Sequence, residues 1–303
     1  MVNSKKNKMT NKDLFGNETI TNPLLRDKFI EPPFSILDTK SGNWQKRKRQ
    51  WKSIGIKSEI GRNSKSINSG TDDYRSIKNN KNYDNKENYT SIFDPALCEV
   101  LYHWFCKDSG DILDPFAGGS VRGIVANYLG YNYTGIDIRK EQIDSNKEQA
   151  IDILDTNNQP NWLVGDSNKV LNGISKKYDF VFSCPPYADL EVYSNLDGDV
   201  SNMDYCDFMK AYEEIIYKSC NLLKDDGYAC FVVGEVRDKN GNYIGFVPDT
   251  VNAFKKAGMK FYNEGIILNP VASASMRANG NMKSQKLVKI HQNILVFRKG
   301  VNN

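Results

Sequence analysis

The residues able to do chemistry concentrate between positions 114 and 187. Asp114, Asp137 and Asp166 each close a short apolar run, in DILD, YTGID and VGDS, and Gly118-Gly119 follows the first of them. Paired glycines let the backbone turn tightly against a ligand, and a helix opening just after them offers N–H groups to a carboxylate. Asp137 is placed to accept hydrogen bonds from ribose hydroxyls, and Asp166 to reach the exocyclic amine of an adenine ring. The second group is Ser183-Cys184-Pro185-Pro186-Tyr187. Two prolines fix the chain and remove N–H donors, so carbonyl oxygens are left as acceptors for an amine. Tyr187 can stack on a planar ring. Cys184 carries a second possibility, a nucleophile adding to a pyrimidine ring.

These motifs need a scaffold that brings several strand ends to one side. From Ile92 onward strand and helix patterns alternate. PALCEVLYHWF spaces Leu97, Val100, Leu101 and Trp104 as a helical stripe. DILD reads as a strand, SVRGIVANYLG as a helix, YNYTGID as a strand and KEQIDSNKEQAIDIL as a helix. NWLVGD and YDFVFSC are the third and fourth strands. A helix near 204–223 leads into GYACFVVGE, and the helix VPDTVNAFKKAG leads into two closing strands, MKFYNEGIIL and HQNILVFRK. The pattern predicts an α/β, Rossmann-like, doubly wound sheet of about seven strands, the last two joined as a hairpin. Ligands of such sheets sit beyond the carboxyl ends of the strands, where every motif above falls. A Gly-x-Gly fingerprint is absent, which sets a dinucleotide site behind.

LDPFAGG resembles the cofactor motif of the DNA amino-methyltransferases, whose familiar form is Asp-Pro-Phe-x-Gly-Ser-Gly. SIFDPALCEVLYHWF is similar in position to the segment those enzymes wrap around the methionine end of S-adenosylmethionine. The resemblance covers roughly residues 91–300 and implies a class I methyltransferase sheet of seven strands with that cofactor. By it Asp114, Phe116 and Gly118 contact the methionine part, Asp137 the ribose and Asp166 the adenine. Phe93, Pro115, Gly119, Ile138 and Ser167 complete the implied cofactor-binding set. The family's catalytic motif is Asp, Asn or Ser followed by Pro-Pro and an aromatic. Here Cys184 holds the first place and Ser183 stands one earlier, so Ser183 or a backbone carbonyl must hold the amine. The implied catalytic set is Ser183, Cys184, Pro185, Pro186 and Tyr187. The implied target is an exocyclic amino group of a DNA base, adenine N6 ahead of cytosine N4. RNA, a nucleotide, or a pyrimidine carbon 5 attacked by Cys184 are the alternatives. An alternative of another class is a non-catalytic DNA-binding protein that keeps the fold.

Charge points to the same partner. Residues 1–90 hold 19 Lys/Arg against 10 Asp/Glu, and residues 91–303 hold 22 against 27. A basic front on a mildly acidic body suits an anionic partner. In WQKRKRQWKS, Trp44, Lys48 and Trp51 share a helical face, which leaves Arg47 to meet phosphates. The competing reading is a helix docked by its tryptophans with a solvated basic side. Glu191 and Tyr193 are expected near the target base or its strand, and Glu235 and Arg237 at the pocket or in an ion pair serving the fold. The stretch 269–291 reads as a long basic loop, including Arg277, that clamps DNA or closes over the pocket. The expected substrate-binding set is Trp44, Arg47, Lys48, Glu191, Tyr193, Arg237 and Arg277, acting on double-stranded DNA with base flipping, as in restriction-modification or phage methylases.

Composition narrows the rest. The chain has 303 residues, 39% apolar and 26% charged, and no run near the roughly 18 apolar residues of a spanning helix. Its start lacks the apolar centre of a secretory signal, so a cytoplasmic protein with no membrane partner is expected. Six cysteines without a C-x-x-C pair, and only two histidines, argue against a zinc or other metal site. The expected division is a disordered tail 1–22, a basic extension 23–90 with a flexible loop at 62–90, and a methyltransferase domain 91–303.

Overall fold

The computed structural model describes residues 10–12, 18–20, 25–57, 93–186, 199–200, 203–238, 240–269, 271 and 274–300. They fall in two compact units, Met1–Phe34 and Ser35–Asn303. In the first, β1 (Thr10–Lys12) pairs antiparallel with β2 (Glu18–Ile20), and α1 (Leu25–Phe29) follows. The range 1–22, expected to be disordered, thus contains a strand pair; the loop 62–90 lies outside the described residues.

The second unit is an eight-stranded mixed sheet. Its strands are β3 (Ile36–Asp38), β4 (Asp111–Asp114), β5 (Asn132–Asp137), β6 (Asn161–Val164), β7 (Tyr178–Ser183), β8 (Leu223–Val233), β9 (Lys260–Leu268) and β10 (His291–Arg298). They lie in the order β3-β9-β10-β8-β7-β4-β5-β6. Strands β4 to β8 run parallel, and β10 is antiparallel to both β8 and β9. The chain winds outward from β4 through β5 to β6 and then returns to β7 beside β4. That reversal is a topological switch point, and the carboxyl ends of β4 and β7 flank it.

Eight strands stand where seven were expected. The extra one, β3, pairs parallel with the edge of β9 in the register Ile36↔Ile266, and Thr39 Oγ1 donates to Leu268 O at 2.5 Å. Three residues carry too little periodicity to announce a strand; the open edge of β9 makes one of them. Residues 35–57 therefore belong to the main unit, whose boundary lies well before the expected Ser91.

The helices are α2 (Gly42–Ser53), α3 (Pro95–Phe105), α4 (Val121–Tyr128), α5 (Lys140–Ile153), the single turn α6 (Ser167–Val170), α7 (Tyr205–Leu222), α8 (Phe246–Lys256) and α9 (Ala274–Met282). α3 begins where the sequence placed it, because Pro95 suits the first helical position and Asp94 accepts from Ala96 N at 3.0 Å. β7 is buried on both faces, as suits its Phe180-Val181-Phe182 run. Phe180 and Phe182 meet Tyr102 of α3 at ring separations of 6.3 and 5.4 Å. Val181, pointing the other way, joins the core formed by Phe208, Tyr212, Phe231, Phe246, Phe254 and Phe297. Among the described residues no helix is long and apolar enough to cross a membrane.

Candidate active site

The carboxyl end of β4 carries the centre of the site. Asp114 is wholly buried. Its Oδ1 accepts from Phe116 N at 3.1 Å and from Ser183 Oγ at 2.5 Å. Its Oδ2 accepts from Arg122 Nε at 2.5 Å and from Tyr133 Oη at 2.7 Å. A carboxylate so enclosed has no lone pair directed at a ligand, so the direct methionine contact read from the sequence is replaced by a fastening role. Ser183 changes in the same way: it is wholly buried and its hydroxyl donates to Asp114, so it faces the hub rather than an incoming amine.

Arg122 was missed. It lies on α4, and its Nη2 also donates to Phe116 O at 2.6 Å and Ala117 O at 2.8 Å. Its guanidinium sits 4.9 Å from the Phe93 ring, which in turn meets Phe182 at 5.9 Å. Burial opposes the Arg122 charge most strongly, but Asp114, Tyr133 and Cys184 together outweigh it, and the guanidinium's pKa is raised. Burial, and then Asp114, push the Tyr133 hydroxyl up, so it stays a neutral donor. The signal for Arg122 was present: one charged residue on the apolar stripe of SVRGIVANYL.

The turn after β4 is held from several sides. Gly118 has φ of 51°, a left-handed conformation suited to glycine. Its N–H donates to Asp137 Oδ2 at 3.0 Å, and its carbonyl accepts from Asn146 Nδ2 at 2.7 Å. Gln142 and Arg139 extend that chain through Gln142 Nε2 to Asn146 at 2.9 Å and Arg139 Nη2 to Gln142 at 2.6 Å. The i, i+4 spacing of Gln142 and Asn146 on one helix face was the overlooked sign. Ser167 Oγ donates to Pro115 O at 2.5 Å, so it ties β6 to the turn rather than facing a ligand. Gly119 and Pro115 are buried; Phe116, Gly118, Ile138 and Phe93 remain half-buried.

Two acids stay partly open, Asp137 at the end of β5 and Asp166 two residues past β6 as the N-cap of α6. Asp137 accepts from Arg139 N at 2.8 Å, and its side chain is 14% exposed. Asp166 accepts from Asn168 N at 2.9 Å and is 16% exposed. The register Asp137↔Val164 brings them side by side. The N-terminus of α4 has no side-chain cap, and Ser120 Oγ is buried without a partner among the described residues. Cys184 and Pro186 are half-buried and Pro185 is buried. Tyr187, Glu191 and Tyr193 lie outside the described residues. Glu235 accepts from Gly245 N and Phe246 N, both at 2.9 Å, and so caps α8.

Within α2, the residues expected to meet phosphate are engaged by acids of the main unit. Trp44 Nε1 and Lys48 Nζ both bond Asp94 Oδ2, at 3.1 and 3.0 Å. Arg47 Nη1 and Trp51 Nε1 bond the two oxygens of Glu99, at 2.5 and 2.6 Å. Trp44, Arg47 and Lys48 therefore dock α2 on α3, and Arg47 is paired. Acids 46 to 52 residues away cannot be matched to these bases by local pattern.

Strand order, switch point and acid-bearing strand ends define the class: a Rossmann-like α/β fold of the methyltransferase type. Residues 4–148, just under half of the chain, match the N6_N4_Mtase family model, described as DNA methylase. The match takes in the extension and the first two acid-bearing strands, and stops within α5, earlier in the chain than the 91–300 of the sequence resemblance. A curated relative, release factor glutamine methyltransferase of Fusobacterium nucleatum subsp. nucleatum, is 31% identical over 150 residues, 44% of this chain and 40% of its own. TrmN of Thermus thermophilus aligns at 13% identity and a TM-score of 0.46, over 68% of this chain and 49% of its own. Magnesium protoporphyrin IX methyltransferase of Synechocystis PCC 6803, solved with bound S-adenosylmethionine, aligns at 13% and 0.42, over 77% and 92%. The chain thus spans less than half the length of the curated relative and of TrmN.

Proposed function

We propose that the chain is an S-adenosylmethionine-dependent methyltransferase acting on an exocyclic amino group of a DNA base, adenine N6 ahead of cytosine N4. One observation carries the reading. Asp114 holds Ser183, and with it the Cys184-Pro185-Pro186 turn, to the same buried hub that holds the 115–120 turn. Donor and acceptor are then presented by one rigid unit, and positioning alone can lower the barrier of a transfer in line.

The residues present fit the cofactor. The uncapped N-terminus of α4, with the unpartnered Ser120 hydroxyl, suits a carboxylate. Asp137 and Asp166, partly exposed at the end of β5 and just past β6, suit a ribose diol and an adenine amine. Phe93 and Phe116 offer apolar cover. When bound, S-adenosylmethionine supplies a methyl group activated by the sulfonium. Carbonyl oxygens of the 184–186 turn accept the hydrogens of the target amine and localise its lone pair for attack. With Ser183 engaged by Asp114, the backbone provides this contact. Arg122 keeps both turns in place without touching either reactant.

A second reading comes from the curated relative, whose name specifies a glutamine target: a side-chain amide is also a planar nitrogen needing carbonyl acceptors. Labelled methyl transfer to DNA, RNA, nucleotides and protein, followed by nucleoside analysis, separates the two. N6-methyladenine in DNA is the expected product, and the absence of both methylated adenine and methylated cytosine amines refutes the proposal. Calorimetry should show cofactor affinity lower by at least about tenfold in Asp137→Ala, in line with loss of hydrogen bonds to a charged acceptor.

A further inference from the structure

The excursion between β9 and β10 is the least supported part of the described fold. Of the nine residues of α9 only Ala274 is buried, and Asn279-Gly280-Asn281 fills its middle and end. A helix so short, with glycine and asparagines inside it, is marginal in water on its own. It nevertheless exposes Met276 and Met282, and the segment after it exposes Leu287 at 75%. Residues 269–291 contain Arg277, Lys283, Lys286 and Lys289 and no acid, and among the described residues none of these four forms an ion pair. An element with apolar groups facing out and uncompensated charge lacks the partner that would explain both.

Its place in the sheet says where that partner lies. His291 pairs with Leu268, and Asn293 lies opposite Val233 at the end of β8. The excursion therefore leaves the sheet on the side of the parallel strands' carboxyl ends, the side of Asp114 and Ser183. The loop after β8 adds to it. Arg237 stacks 3.9 Å from the Tyr243 ring and donates to Gly241 O at 2.6 Å. Lys286 packs on the same Gly241, where a Cβ would collide with its ammonium. Burial pushes the pKa of Lys289 down; Glu235 opposes this and Arg237 adds to it, and Lys289 in turn lowers His291 after burial has done so. Glu235, the acid within reach, has its carboxylate on N–H groups of the α8 start. Cations gathered with so little compensation form a site for polyanion.

We propose that α9 and the Arg237–Lys286–Lys289 cluster form a rim that binds duplex DNA, the cations on consecutive phosphates and Met276, Met282 and Leu287 against sugars or bases. Phosphate contacts set register and apolar side chains can wedge at base steps. The rim presents the duplex to the crevice at the β4–β7 switch point. This rests on the reading of the chain as a DNA methyltransferase, and the stretch read from sequence as a loop is thereby a helical recognition element.

The test is fluorescence anisotropy on a short DNA duplex across a salt series, with cofactor binding measured calorimetrically on the same preparations. The triple variant Arg277→Gln/Lys283→Gln/Lys286→Gln should bind DNA at least about tenfold more weakly near physiological salt. Its slope of log affinity against log salt should be shallower by about 2–3. Lys177→Gln, which removes a charge at the amino end of β7, should change neither. Met276→Ala/Leu287→Ala should weaken binding with the slope unchanged. An unchanged affinity and slope in the triple variant overturns the rim, as do equal loss in Lys177→Gln, failure of the parent chain to bind duplex DNA, or tighter binding of duplex RNA. A parent chain that binds DNA through the rim yet takes no S-adenosylmethionine leaves the rim standing and refutes the methyltransferase reading.

Discussion

The Asp114 hub and the α9 rim lie on the same side of one sheet and are built on opposite principles. At the hub every charge is buried and matched: one carboxylate, one guanidinium, two hydroxyls and three backbone groups close on each other. At the rim cations cluster with exposed apolar side chains, and the acid nearby is occupied elsewhere. Breaking one partner of a buried pair strands the other in low dielectric, whereas a solvated cation loses little. The difference teaches that the hub sets geometry and the rim meets a partner.

Four measurements test that contrast, in falling order of effect. Asp114→Asn strands the Arg122 charge and should cost about 3–5 kcal/mol of stability, read by urea unfolding; a loss under about 1 kcal/mol would show that the hub is not the keystone. Ser183→Ala removes one hydrogen bond to a charged acceptor, worth about 1.5–3 kcal/mol. Its methyl-transfer rate should fall much more than its cofactor affinity, since the turn that loosens is the one presenting the amine. Equal loss of both would place Ser183 in cofactor binding instead.

Asp179 offers an intermediate case, a nearly buried carboxylate at the amino end of the sheet. Burial raises its pKa, but the Asp111 N–H at 2.9 Å and Lys107 and Lys224 at 2.6 and 2.8 Å outweigh it and hold the group below its usual range. A lowered folded pKa gives stability that is present above the unfolded value, about 3.9, and is lost as pH falls through the folded one. Asp179→Asn should therefore destabilise at pH 7 and progressively less below about pH 4. A pH-independent difference between the two proteins would rule this linkage out. Smallest of all, Arg277→Gln/Lys283→Gln should shift unfolding by no more than about 0.5 kcal/mol; a larger loss would mean that α9 is fastened to the fold after all.

Much of the architecture was readable because it is local. The helix over 95–105 and the strand over 111–114 stand where their periodicity placed them, and Asp114 and Asp137 end their strands as read, while Asp166 caps α6 two residues past β6. β3 and α9 were not readable: the first depends on an open sheet edge, and the second has no apolar stripe. Arg47 illustrates the limit most plainly. Its place in a basic run suggested phosphate, and Glu99 on another helix claims it.

The sequence by itself determined most of the strands and helices from Pro95 onward, that Asp114 and Asp137 end their strands, and that two prolines follow β7. Those properties follow from backbone preferences and periodicity, which act between near neighbours. Only the tertiary structure decided that Asp114 and Ser183 face each other at 2.5 Å, with Arg122 closing the hub, and that the basic helix α2 is docked while the 269–291 stretch is left uncompensated. Those outcomes depend on which residues distant in the chain share a buried space, and burial determines whether a charge is matched or left for a partner.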